Sequence, residues 1–247
     1  MTTVKGIVIR ERSFGEQDKF IDVLTAEHGV IELTVRGARK INGKSGSAVQ
    51  LFAYSDFCYN QNRDCFILNS AVPVRIFYGL RDSLLKISLA SYFADILKFC
   101  IRPEIQTENI TRLFLNSLHF LEKGLRNEKM LKSIFELRLM SETGFMPDIL
   151  ACRGCGEFEP SGIFFGIHEG CFFCKDCFSG SEKGWYKADL SVLKAIRHIV
   201  LADFDRLFNF RVSDRTLKRL NVISEKYLLA QLEKDFPTLD FYKTIDK

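Results

Sequence analysis

Four cysteines are spaced to hold a single metal ion. Cys152-Arg-Gly-Cys155 and Cys174-Lys-Asp-Cys177 form two CxxC pairs with 18 residues between them. Two residues between thiolates allow a tight turn that aims both sulfurs at one point. Two such knuckles complete a tetrahedron, which zinc takes at about 2.3 Å per sulfur. The spacing predicts a zinc ribbon, with an iron–sulfur cluster or an empty site as the alternatives. Cys171 creates an overlapping Cys171-x-x-Cys174 pair, but Cys174 and Cys177 mirror the first knuckle better. Four thiolates leave no position for water, so the expected zinc, one per chain, is structural. The neighbouring His168-Glu169 is an adjacent pair, not the H-x-E of zinc deaminases, and reads as part of a loop. Cys58, Cys65 and Cys100 read as small buried hydrophobes.

A second possible chemistry is electrostatic. The stretch Arg36-Gly-Ala-Arg-Lys-Ile-Asn-Gly-Lys44 carries Arg36, Arg39, Lys40 and Lys44 and no acid. Arg10 lies on a neighbouring segment, with Arg12 and Lys19 partly cancelled by Glu11, Glu16 and Asp18. These cations are candidates to track phosphates beside aromatic residues that stack on bases. The plainer alternative is a solvated face. Phe52, Tyr54, Phe57, Tyr59 and Phe66 supply aromatic surface nearby but read mostly as core. No P-loop, G-x-G-x-x-G, G-x-S-x-G or H-E-x-x-H occurs, and none of the four histidines sits beside a nucleophile in sequence. The expectation is a binding protein with no catalytic residue and no small-molecule substrate.

Elements must position these residues. Val4–Arg10, Phe20–Thr25, Gly29–Arg36, Leu51–Tyr59, Asp64–Asn69 and Val72–Phe77 read as five or six short strands, with Asn60-Gln-Asn-Arg63 as a polar hairpin loop. So many short strands without a long helix favour a small closed or partly open barrel. From about residue 80 the period turns helical. A first helix runs from Leu80 to Ile101 and stops at Arg102-Pro103, and a second is capped by Thr107 and ended by Gly124. A third spans about Glu128–Glu142 and closes at Gly144. The cysteine cluster occupies about 148–186, and helices near Leu190–Leu201 and Asp214–Lys234 follow. The fold class is α+β and multidomain: a barrel over 1–79, then a mostly helical domain over 80–247 with the ribbon inserted.

Composition sets the outer bounds. The chain has 247 residues, 47% hydrophobic and 27% charged, which excludes a disordered chain. Its net charge of +4 permits an anionic partner without demanding one. No apolar run suits a signal peptide or a membrane span, and the clustered cysteines do not resemble a secreted disulfide framework. A reducing, cytoplasmic setting with no membrane partner is expected.

The order of parts resembles the bacterial DNA repair protein RecO family. The N-terminal succession is Gly6-Ile-Val-Ile-Arg10, Gly15-Glu16-Gln-Asp18, Leu24-Thr25-x-Glu27-His28-Gly29 and Arg36-Gly37-Ala38-Arg39-Lys40. Further on, Phe135-Glu136-Leu137-Arg138-Leu139 leads to Gly144-Phe145-x-Pro147 and Cys152-x-x-Cys155-Gly156. The likeness covers about residues 4–235. It implies an OB-fold barrel followed by a helical, zinc-containing part, in a non-catalytic recombination mediator. Such mediators bind single- and double-stranded DNA and anneal complementary strands. They contact the acidic tail of single-strand binding protein (SSB) and work with RecR to load the recombinase RecA, at the nucleoid during repair. A zinc-ribbon and OB-barrel protein of RNA or the ribosome is the competing reading, which a preference for structured RNA would favour. An unrecognised enzyme would instead show a deep cleft lined by perturbed acids or histidines.

Overall fold

The computed structural model describes residues 1–15, 18–37, 44–62 and 65–246, with 44 and 45 described by backbone alone. The strands β1 (Thr2–Phe14), β2 (Asp18–Thr25), β3 (Gly29–Val35), β4 (Ala53–Asn62) and β5 (Cys65–Ile76) close into a barrel in the order β1-β2-β3-β5-β4. β1 pairs antiparallel with β2 and β4, β2 with β3, and β4 with β5. The ring is completed by a short parallel pairing, Leu33 beside Phe66 and Thr34 beside Ile67. This is a five-stranded OB-type barrel. β1 serves two neighbours because it is long: Gly6–Phe14 face β2, Thr2–Ile7 face β4, and the register shifts between Val8 and Arg10. Alternation along β3 buries Ile31, Leu33 and Val35 and exposes Glu32. These side chains join Val8, Ile21, Val23 and Phe57 in the barrel core.

The two expected strands Asp64–Asn69 and Val72–Phe77 are one strand, β5, with slips in register that interrupt its alternation. A short helix, α1 (Lys44–Ala48), follows the basic stretch, and Ala48 and Val49 enter the barrel core. Lys44 therefore opens a helix. Cys65, expected to be buried, is exposed, while Cys58 and Cys100 are half-buried.

Beyond a 3-10 turn at Tyr78–Leu80 come α2 (Leu84–Cys100), α3 (Glu108–Lys123) and α4 (Glu128–Glu142). Three short strands follow, β6 (Ile163–Gly166), β7 (Cys171–Cys174) and β8 (Trp185–Ala188). The chain continues through α5 (Leu190–Leu201), α6 (Phe204–Leu207), α7 (Asp214–Leu232) and α8 (Pro237–Ile245). The first helix starts at Leu84, not Leu80, because Leu80 is buried from the preceding turn. The last helix, α8, was not expected from periodicity; Pro237 at its first turn fits a helix start.

Two compact units result: Met1–Lys123 with Phe236–Lys247, and Gly124–Asp235. The change of period at residue 80 thus marks the end of the barrel strands, while α2, α3 and α8 pack in the barrel's unit. There the β2–β3 turn is fastened to the α2–α3 connection. The Thr107 amide donates to the Ala26 carbonyl at 2.7 Å, and the Thr107 hydroxyl, expected as a helix cap, donates to the carbonyl of Thr25. Gly29 has φ +65°, and a Cβ there would lie 2.3 Å from the Arg102 carbonyl oxygen. Glycine is required on both counts.

In the second unit α4 packs against α5 and α7 and is buried almost all round. The Asn127 side chain accepts from the Lys129 amide to start it. Gly144, at φ +92°, lets the Phe145 amide reach back to the Met140 carbonyl at 2.7 Å and end it. The small sheet has the order β7-β6-β8. Among the described residues no helix is long and apolar enough to cross a membrane.

Candidate metal centre and nucleic-acid interface

Local backbone turns bring the four cysteines together. The first knuckle closes when the Gly156 amide donates to the Cys152 carbonyl at 2.8 Å, with Gly156 at φ +77°. The second hangs from the end of β7, where the Cys177 and Phe178 amides both donate to the Cys174 carbonyl. The Arg153 amide bonds the Phe172 carbonyl at 3.0 Å and so ties one knuckle to the other strand. At Gly154 a Cβ would meet the Cys177 Cβ at 2.8 Å, so only glycine allows the knuckles to approach.

The Sγ atoms of Cys152, Cys155, Cys174 and Cys177 all lie within 4.8 Å of one another. A tetrahedron with metal–sulfur bonds of about 2.3 Å has sulfur–sulfur edges of about 3.8 Å. The Cys155–Cys174 separation is 3.8 Å. The donor set therefore fits a tetrahedral ion. Burial works against ionising Cys152, but amides led by that of Cys174, 3.2 Å away, outweigh it and bring the thiol down to about 6. The Cys177 thiol donates to Cys174 and Cys155, and these hydrogen bonds push it up to about 12. Four cysteines are thus positioned to hold a metal ion. Cys171 is buried beside them and receives a hydrogen bond from Arg153 at 3.6 Å, outside the ligand group.

The phosphate-binding candidates are placed less completely. Arg36 is exposed at the end of β3, where the Gly37 amide donates to Asp18 at 2.7 Å. Arg39 and Lys40 lie outside the described residues, as does the side chain of Lys44. Arg10 is exposed in the middle of β1, in register with Asp22 and hence with Glu32. Four positions separate that row from the row of Arg36, about 13 Å along the strands. Arg12 pairs with Glu32 and Asp22, and Lys19 with Glu11 and the Val49 carbonyl, so both are engaged within the barrel. A cavity of about 200 Å³ lies against Arg36, lined by Val35, Val49, Leu68, Asn69 and Ala71 among others.

Sequence reasoning missed an aromatic pair at the same barrel end. Phe14 is 57% exposed and its ring lies 4.8 Å from that of Phe20, with the Arg12 guanidinium over Phe20 at 5.6 Å. The signal was the exposed end of β1, where alternation places Phe14 on the outer face. Phe52, Phe57 and Tyr59 are core, as expected.

Comparison with known proteins adds the decisive observation. Residues 1–77 match the family described as recombination protein O N terminal, and residues 81–240 match recombination protein O C terminal. The chain belongs to the recombination protein O family. Proteins named DNA repair protein RecO resemble it along almost their full length. The one from Acetivibrio thermocellus is 32% identical over 98% of this chain and 96% of its own. That from Caldicellulosiruptor saccharolyticus is 29% identical over 98% and 97%, and that from Symbiobacterium thermophilum 29% over 98% and 96%. The RecO-like motifs have physical roles here. The Thr25 hydroxyl accepts from the His28 amide and donates to the Gly29 carbonyl, each at 3.0 Å, which shapes the β2–β3 turn. Arg138 donates to the carbonyls of Val200 and Ala202 and closes the end of α5.

Proposed function

We propose that this recombination protein O member is a non-catalytic DNA repair mediator that binds single- and double-stranded DNA and anneals complementary strands. With RecR it helps load RecA onto SSB-coated single strands, and it meets SSB through that protein's acidic tail. The observation that carries the reading is membership of one recombination family along both the barrel and the helical part. The barrel, 1–79, is the DNA-binding part, and 80–247 carries the ribbon and the protein partners. Arg36, Arg39, Lys40 and Lys44 contact phosphates, with Arg10 as an outlying member of the set. The basic stretch accounts for as much positive charge as the net +4 of the whole chain, so attraction to DNA must come from this patch. Cytoplasmic work at the nucleoid follows from the same role.

The ion at Cys152, Cys155, Cys174 and Cys177 is proposed to be structural zinc. Thiolate chemistry and tetrahedral spacing favour it, and with no open position it supplies cross-linking alone. The deciding experiment is strand annealing with complementary oligonucleotides coated by single-strand binding protein. Acceleration over the protein-free rate supports the reading, and none rejects it.

A further inference from the structure

The end of the β4–β5 hairpin carries a cluster of amides that the barrel does not need. Asn60, Gln61 and Asn62 stand at strand positions, opposite Ile67, Phe66 and Cys65. Asparagine belongs in turns and is a poor strand former. Across from them the register slips, with Cys58 facing Ser70 and Tyr59 facing Leu68. Asn69 is thus the additional residue of a β-bulge, a device that re-aims a side chain. The Asn60 side-chain nitrogen donates to the Asn69 side-chain oxygen at 3.4 Å. This bond leaves the Asn60 oxygen to accept and the Asn69 nitrogen to donate, side by side.

These amides line an open cavity of about 570 Å³ together with Thr2 and Ile67. Met1 also lines it, and among the described lining residues the side chains with hydrogen-bonding groups are amides and the Thr2 hydroxyl, with no Lys, Arg, Asp or Glu side chain. Paired donors and acceptors on amides match the edges of nucleobases, and the half-buried Ile67 offers an apolar wall for a base face. The cavity also adjoins the one that Arg36 lines. Asn69 lines both this cavity and the smaller one against Arg36.

We propose that the amide cavity binds the unpaired edges of bases in single-stranded DNA whose phosphates run past Arg36. This rests on the DNA-binding reading above and adds a means of telling unpaired strands from duplex. In duplex DNA the Watson–Crick edges are taken up by the complementary strand.

The test measures binding of three ligands: a single-stranded oligonucleotide, an abasic strand of equal length, and the matching duplex. The full chain is compared with the double variant Asn60→Ala/Asn69→Ala. The unaltered protein binds the base-bearing strand more tightly than the abasic one. The variant loses about fivefold of that ratio, the low end for one two-point amide–base pairing, while its salt dependence and duplex affinity stay unchanged. Unchanged duplex affinity also shows that the variant is folded. An unchanged ratio in the variant, or an equal loss on all three ligands, overturns the base-edge site alone. Failure of the unaltered protein to bind any of the three overturns the DNA-binding reading itself.

Discussion

The ammonium of Lys132 lies 2.8 Å from a carboxylate oxygen of Glu136, one turn further along α4, with both side chains out of water. A second carboxylate, Glu225 on α7, approaches the same ammonium at 2.9 Å, and the Ser224 hydroxyl donates to Glu136 at 2.6 Å. Two acids thus share one buried base. Burial raises the Glu136 pKa above its ordinary value; Lys132 and Ser224 pull it back only in part, and Glu225 raises it further.

Removing the shared cation is predicted to be severe. Lys132→Met removes the cation that both buried carboxylates share and should cost about 3–5 kcal/mol in urea unfolding. Glu136→Gln keeps the shape and an acceptor for Ser224 and should cost much less. The sign with pH follows from the raised pKa. The folded state holds the Glu136 proton longer than the unfolded chain, so stability is lost as pH rises from the ordinary 4.5 towards the folded value. Glu136→Gln should therefore gain on the unaltered protein as pH rises through that window. A constant difference between the two across the window would refute it.

The metal centre predicts a sharp contrast between neighbouring cysteines. Cys177→Ser should lose most of the bound zinc and destabilise the ribbon, because binding energy at a structural site is largely folding energy. Cys171→Ser should keep about one zinc per chain, as expected when four other thiolates complete the tetrahedron. Elemental analysis decides between them. Chelation should likewise loosen β6–β8, seen as faster amide exchange there.

Neutralising the basic stretch should act on affinity in a sequence-independent way. Arg39→Gln with Lys40→Gln should lower the salt slope of single-strand binding by about 0.7 for each phosphate the protein no longer neutralises. The weakening should be largest at low salt and equal for all sequences. Unchanged affinity and slope would leave the stretch as a solvated face.

At the β2–β3 turn, Gly29→Ala should cost more than the ~1–2 kcal/mol of a left-handed non-glycine residue. The added methyl also meets the Arg102 carbonyl, a backbone atom with little room to retreat. Thermal unfolding measures the effect, and a loss below about 1 kcal/mol would show that the turn yields.

Much of this architecture was legible because its signals are local. β3 announces itself by alternation, α4 by Gly144 at its end, and the metal centre by two identical spacings. β5 was read as two strands because the bulge at Asn69 breaks the alternation that would have joined them. The burial of Lys132 and Glu136 was invisible, since charged residues normally mark a solvated helix face and only packing against α7 reverses that. The docking of α8 was equally hidden. Phe236 meets Tyr92 and Phe99 with ring centroids 6.0 and 5.9 Å away, across a separation for which sequence carries no short-range trace.

That return of α8 has a consequence for how the molecule is made. The first compact unit is split in the chain, and the second is threaded whole between its two pieces. On a ribosome the Gly124–Asp235 unit is synthesised in full before Phe236 and α8 emerge. Until then the Phe236 ring is not there to meet Tyr92 and Phe99. The segment from Phe236 through α8 thus acts as a completion signal: a chain stalled or clipped before it carries a finished metal-binding unit and a barrel unit that still shows the face α8 should cover.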